Sequence, residues 1–205
     1  MIICIHYTTC THYCTAFVLK YKCKKDLNKI KQEERRTKMK NKRRVFIDMD
    51  GVLCEYKKDS TPEDLVQKGY FQNLLPRKDM VDALNYLIDS KEAEVFILSA
   101  VIPEIEHQAK AEKNAWLNIF MPAVDKAHRI FTLCGEDKAA AIKNFNSSDV
   151  LCDDYTANLN LWNKAGGKAV KILNEINGKN GTFTSGPRLR INHKEDLVNA
   201  IRMFA

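Results

Sequence analysis

The stretch Arg44–Tyr56 reads RVFIDMDGVLCEY. Four strand-forming residues run into Asp48-Met49-Asp50-Gly51, after which apolar residues resume. Two carboxylates two residues apart at the end of a buried strand repel each other and lose hydration. A cation, a phosphate or both would offset that. Three later places carry chemistry of the same kind: Ser99 after VFIL, Lys138 in GEDK, and Asp153-Asp154 after VLC. Together they suit Mg2+-assisted phosphoryl transfer. A hard cation takes oxygen ligands and keeps waters, so one or two carboxylates and a substrate phosphate satisfy it. Asp48 can give one oxygen to the metal and attack phosphorus with the other. Asp50 can protonate the leaving oxygen and then activate water, while Gly51 lets the backbone turn beside the phosphate. Ser99 can donate to a phosphoryl oxygen, and Lys138 can neutralise charge on the equatorial oxygens. Asp153 or Asp154 completes the metal sphere, and the other orients Lys138 or a metal-bound water.

Each of these residues also has an ordinary reading. Asp-x-Asp is often a turn, Asp-Asp before a helix is often a cap, and a lone Lys is usually solvated. Their common position at strand ends is what favours chemistry, and the elements around them set that position. Arg44–Ile47, Glu94–Leu98, Arg129–Leu133, Val150–Cys152 and Ala169–Leu173 read as short buried strands. Asp79–Ser90, Pro103–Phe120, Asp137–Asn144, Thr156–Lys164 and Asn192–Met203 read as helices. Asp79–Ser90 puts Met80, Val81, Leu84, Leu87 and Ile88 on one face, and Thr156 or Asp154 is the expected cap of Thr156–Lys164. Alternation of strands with helices predicts an α/β fold: a Rossmann-like parallel sheet of about five strands, helices on both faces. Ligands in such sheets bind at the carboxyl ends of the strands.

Charge divides the chain. Residues 1–38 hold nine Lys/Arg against three Asp/Glu, whereas residues 39–205 hold 24 against 23. The nearly neutral body argues against a nucleic-acid surface with many phosphate contacts. No uninterrupted apolar run approaches the roughly 18 residues of a membrane span. Cys54, Cys134 and Cys152 lie in or beside apolar runs and read as buried hydrophobes of a reducing, cytoplasmic compartment. The leader, residues 1–38, reads as untranslated or disordered. Its His6, Cys10, His12 and Cys14 match no usual zinc spacing. Glu33-Glu34-Arg35-Arg36 can be encoded by purines alone, as a ribosome-binding sequence ahead of Met39, so translation is expected to start there. CGN codons at Arg35 and Arg36 would remove that argument. The folded domain is then expected over residues 39–205.

At the level of motifs, Asp48-Met-Asp50-Gly-Val-Leu, Ser99, Lys138 and Asp153-Asp154 resemble the four motifs of the haloacid dehalogenase-like phosphatases. DMDGVL, GYFQNLLP, VFILSA, AEKNAWL and CDDYTANLNLW resemble, more narrowly, the cytosolic type C 5′(3′)-deoxyribonucleotidases in a short bacterial form. The resemblance covers roughly residues 44–183. It implies a Mg2+-dependent phosphatase of nucleoside monophosphates, deoxypyrimidines included. It also implies Asp48 as nucleophile, Asp50 as acid/base with its carbonyl on the metal, and Asp154, ahead of Asp153, as the carboxylate ligand of its pair. Tyr56 stands where larger members carry an aromatic near the base. One departure concerns the cap. Only about 25 residues separate Leu53 from Asp79, enough for a small cap over about 54–78 but not for several helices. Tyr56, Tyr70, Phe71 and Asn177, from this cap and from the turn-rich NEINGKNGTF, are the expected substrate wall. The expected partner is a small phosphate monoester, and oligomerisation is compatible with the sequence. Two alternatives compete: a phosphatase of another ester such as a phosphosugar, and a phospho-accepting signalling domain. The latter would put its acceptor Asp after the third strand, where Leu133-Cys134-Gly135 stands.

Overall fold

The computed structural model describes residues 42–56, 61–174, 176 and 183–204. The chain divides into two units, Met1–Lys42 and Arg43–Ala205, and all the described secondary structure belongs to the second. The expected leader, the start at Met39 and Asn177 lie outside the described residues.

Six strands form one sheet: β1 (Arg43–Ile47), β2 (Ala93–Val101), β3 (Arg129–Leu133), β4 (Val150–Asp153), β5 (Lys168–Ile172) and β6 (Arg188–Leu189). Their order is β3-β2-β1-β4-β5-β6 and every pairing is parallel. The chain direction across the sheet reverses between β1 and β4, the crevice where doubly wound sheets bind ligands. The Rossmann-like expectation holds, with β6 as an additional edge strand. The helices are α1 (Pro62–Leu65), α2 (Lys78–Asp89), α3 (Glu106–Phe120), α4 (Thr156–Lys164) and α5 (Lys194–Arg202).

Side-chain alternation sorts the core. Val45 and Ile47 of β1 point into one cluster, with Trp116 and Leu117 of α3, Leu84 of α2 and Leu197 of α5. Phe46 points the other way, into a second cluster with Leu98, Leu151, Ala139, Ile142 and Trp162 of α4. Both faces of β1 are thus dry, as a central parallel strand requires. The stretch expected as a cap carries α1, a 3-10 turn at Phe71–Asn73 and an antiparallel bridge from Cys54 to Pro76.

Some local expectations change. Asp137–Asn144 is a series of turns rather than a helix: Ala140 N donates to Asp137 O and Ile142 N to Ala139 O, both i to i+3, and Asn144 has φ 55°. So short a segment has little helical stability of its own, and its local hydrogen bonds close tighter turns. Ser99 lies within β2 rather than after it, because β3 pairs with β2 as far as Val101. The residue before α4 is Tyr155, and no side chain caps it in the usual way. Cys54 and Cys152 are buried, but Cys134 is exposed in the turn that follows β3. No helix among the described residues is long and apolar enough to cross a membrane.

Candidate active site

β1 delivers Asp48 into the crevice, and its backbone N–H donates to Cys152 O of β4 at 2.9 Å. Alternation puts Asp48 on the Phe46 face, the side from which the 137–144 turns approach. Lys138, 3% exposed, sends its ammonium into the gap, donating to Asp48 Oδ1 at 2.6 Å and to Asp153 Oδ2 at 2.7 Å. Asp153 ends β4. Its Oδ1 accepts from Tyr155 N at 2.7 Å, and its Oδ2 also accepts from Asn158 Nδ2 at 2.9 Å. Three donors therefore fix this carboxylate.

Asp50 looks the other way. Lys113 of α3, fully buried, donates to Asp50 Oδ2 at 2.5 Å, to Ser99 Oγ at 2.8 Å and to Ala100 O at 2.8 Å. Its ammonium also stands 4.8 Å from the centre of the Phe71 ring. The neighbouring Glu112 accepts the backbone N–H groups of Gly69 and Phe71, which ties the cap stretch to the same helix. The two repelling carboxylates of the DMDG motif thus each receive a lysine, and the two lysines come from opposite faces of the sheet.

Asp154 is reached from β5 and its end. Lys171 donates to the Asp154 carbonyl, and Asn174 Nδ2 donates to Asp154 Oδ2 at 2.5 Å. Asp48, Asp153 and Asp154 each offer a carboxylate oxygen, and these oxygens lie within 4.8 Å of one another. Three buried carboxylates with oxygen-only donors fit a hard divalent cation such as Mg2+. Asp153 enters this cluster already holding three donors. Asp50 points its carboxylate at Lys113 and is not among the three carboxylates of that cluster.

Electrostatics follow the crowding. Burial, reinforced by Asp153, Asp50 and Asp154 and opposed by Lys138, pushes Asp48 up to about 8. Burial alone would lower Lys138, but Asp153 and Asp48 together raise it above its ordinary value, so it stays cationic. Burial, with smaller contributions from Tyr70 and Asp50, pushes Tyr56 up to about 12, so it remains a phenol.

The structure brings Asp48, Asp50, Ser99, Lys138, Asp153 and Asp154 together from the ends of β1 and β4, the stretch of β2 paired with β3, and the turn after β3. The expected substrate wall fares differently. Tyr56 is half-buried and meets Tyr70 edge to face, with centroids 6.4 Å apart. Phe71 is 3% exposed and packs in the core beneath Lys113. It has no open face to offer a base. The reason is Glu112, which draws the backbone at Phe71 onto α3. Beside the turn at Gly51 lies a cavity of about 440 Å3, lined by Tyr56, Glu55, Arg77, Asn174, Arg190 and Asn192 among others.

Lys113 is a site residue that sequence reasoning missed. A signal was present: Ala109, Lys113 and Trp116 are spaced four and three apart, so Lys113 falls on the apolar face of its helix. A lysine there needs a buried partner.

No family model and no curated protein matches this chain. Solved structures do. D,D-heptose 1,7-bisphosphate phosphatase from Burkholderia thailandensis aligns at TM-score 0.50 and 14% identity, over 80% of this chain and 99% of that one. The same enzyme from B. bronchiseptica, complexed with magnesium and phosphate, aligns at 0.46 and 12%, over 80% and 99%. Cobalt-bound deoxy-D-mannose-octulosonate 8-phosphate phosphatase from Haemophilus influenzae aligns at 0.47 and 15%, over 82% and 91%. At these identities the likeness to the Burkholderia enzyme shows the fold: a parallel, Rossmann-like α/β sheet with helices on both faces.

Proposed function

We propose that this chain is a Mg2+-dependent phosphatase of small phosphate monoesters, acting through an aspartyl-phosphate on Asp48. The observation that carries the reading is the separate pairing of the two DMDG carboxylates. Asp48 is held with Lys138, Asp153 and Asp154 in a cluster fit for a cation, and Asp50 is held apart by Lys113. That separation gives one carboxylate a nucleophile's surroundings and the other those of an acid/base.

Lys138 fixes Asp48 by Oδ1 and favours its charged, nucleophilic form against the effect of burial. Bound by Asp48, Asp154 and the Asp50 carbonyl, Mg2+ would neutralise carboxylate charge and polarise the phosphoryl group. A carboxylate oxygen of Asp48 forms a bond to phosphorus as the ester P–O bond breaks, and Asp50, entering this step in its protonated form, gives that proton to the leaving oxygen. Asp50 then takes a proton from water, whose oxygen displaces the Asp48 carboxylate and releases phosphate. Lys138 and Lys113 are the fixed cations beside the developing charge.

The proposed substrate is a nucleoside monophosphate, deoxyribonucleosides included. Support comes from Tyr56, a half-buried aromatic that lines the cavity beside Gly51. A second reading, a phosphosugar, is favoured by the rest of that lining: Glu55, Arg77, Asn174, Arg190 and Asn192 suit a leaving group rich in hydroxyls. A panel of nucleoside and sugar monophosphates, assayed with Mg2+, separates the two. A kcat/KM at least tenfold higher for nucleotides supports the first, and the reverse order replaces it with the second.

A further inference from the structure

Asn174 follows the end of β5, outside every motif of the site, yet its side chain joins two parts of it. Nδ2 donates to Asp154 Oδ2 at 2.5 Å and to Gly51 O at 2.9 Å. Oδ1 accepts from Ile176 N at 3.0 Å. The amide orientation is dictated by these partners: a flipped Asn would set its oxygen against a carboxylate and a carbonyl, and its NH2 against an N–H. The Gly51 carbonyl has a second donor, Arg77 NH1 at 2.9 Å. Gly51 itself has φ +78°, and a Cβ there would meet Asn174 Nδ2 at 2.6 Å and Asp154 Oδ2 at 2.8 Å. The glycine is required both for its backbone and for the space the amide fills.

The strand that precedes Asn174 completes the grip. Lys171 of β5, 1% exposed, donates to the Asp154 carbonyl and to Thr156 Oγ1 at 3.1 Å. Asp154 is therefore held at its backbone by Lys171 and at its carboxylate by Asn174. The same Asn174 amide holds the turn that follows Asp48 and Asp50. A metal carboxylate must keep one orientation to bind a cation whose coordination shell is as strict as that of Mg2+.

We propose that Asn174 is the positioning residue for the metal: it aims Asp154 and locks the Gly51 turn to it, so that the two carboxylates that take Mg2+ stand in register before the ion arrives. This rests on the proposed function insofar as Mg2+ is the cation. It adds a determinant of metal affinity from outside the four motifs.

The test is calorimetric titration of Mg2+ into the wild-type protein, Asn174→Leu and Asn174→Ala. Leucine keeps the branched shape and removes the donors, so it decides the matter if alanine fails to fold. Both variants should bind Mg2+ about 10- to 100-fold more weakly, the usual effect of removing a partner that orients a ligand. The Mg2+ concentration for half-maximal activity should rise in parallel. In the wild-type protein, the Asn174 side-chain amide resonance should move during the titration with the calorimetric affinity. Variant affinities within twofold of wild type, or an Asn174 resonance that Mg2+ leaves in place, would overturn the assignment alone. A wild-type protein that binds no Mg2+ would overturn the metal-dependent function and this inference with it.

Discussion

Replacing Lys113 by methionine keeps most of the aliphatic stem and deletes the ammonium that stands over Phe71. Three acceptors lose a donor: the Asp50 carboxylate at 2.5 Å, the Ser99 hydroxyl at 2.8 Å and the Ala100 carbonyl at 2.8 Å. Breaking a fully buried ion pair by removing one partner costs about 3–5 kcal/mol. The Asp50 side chain is 20% exposed and gains some compensation from water, so about 2–3 kcal/mol is the reasoned loss of stability. In a domain of this size that lowers Tm by roughly 5–10 °C. The effect on catalysis is larger, because Asp50 is the proposed acid/base and Lys113 is what orients it. General acid–base catalysis contributes about 10²–10⁴-fold, and kcat should fall by about 10²–10³. Asp50→Asn alone should fall as far. The double variant Lys113→Met/Asp50→Asn should be no slower than Asp50→Asn and more stable than Lys113→Met, because no charge is left stranded. Steady-state kinetics with saturating Mg2+ and thermal unfolding of the four proteins measure both terms. A Lys113→Met enzyme with kcat within threefold of wild type, or losses in the double variant that simply multiply, would refute the reasoning.

Three further outcomes are expected. Gly51→Ala should abolish most activity and weaken Mg2+ binding, since its Cβ would fall 2.8 Å from Asp154 Oδ2; wild-type kinetics would show that the turn yields without displacing Asp154. Tyr56→Ala should lower kcat/KM for a nucleotide far more than for p-nitrophenyl phosphate, by roughly 10-fold or more at about 1–3 kcal/mol of stacking; equal losses would mean that Tyr56 does not read the leaving group. Asp48 carries a folded value of about 8 against an ordinary 3.8, so at neutral pH the folded protein holds a proton that the unfolded chain has released. In excess chelator, its contribution to stability is full below about pH 4 and is lost as pH rises to about 8; Mg2+ competes with that proton, so the Tm gained on adding Mg2+ should grow from about pH 5 to about pH 8. A gain that shrinks over that window would contradict the placement of the metal on Asp48.

Much of this site could be read from the sequence because parallel sheets put function at strand ends. The apolar runs before Asp48 and Asp153 mark β1 and β4, and their adjacency at the reversal of strand order brings the acid pairs together. Where the structure departs, weak local preference leaves the choice to tertiary contacts. Asp137–Asn144 has helical composition, but Lys138 has to reach between two carboxylates, and the chain there makes tight turns instead. Phe71 and Tyr70 look alike in sequence; Glu112, 41 residues from Phe71 along the chain, decides that Phe71 is buried. Lys113, Lys171 and Asn174 were hard to read for a common reason. A polar residue in a helix or at a strand end is usually solvated, and only the fold shows which one faces a buried carboxylate.

The most direct test of the central claim is a search for phosphate on Asp48. Protein quenched in acid during turnover, with Mg2+ and a hydrolysable phosphate monoester, should yield a peptide spanning Arg44–Tyr56 that carries one phosphoryl group, labile to hydroxylamine and assigned to Asp48 by fragmentation. The same treatment of Asp48→Asn should yield none and release no phosphate above background. Rapid release of phosphate with no phosphoryl group on that peptide at any quench time, or an Asp48→Asn enzyme that turns over, would contradict the account.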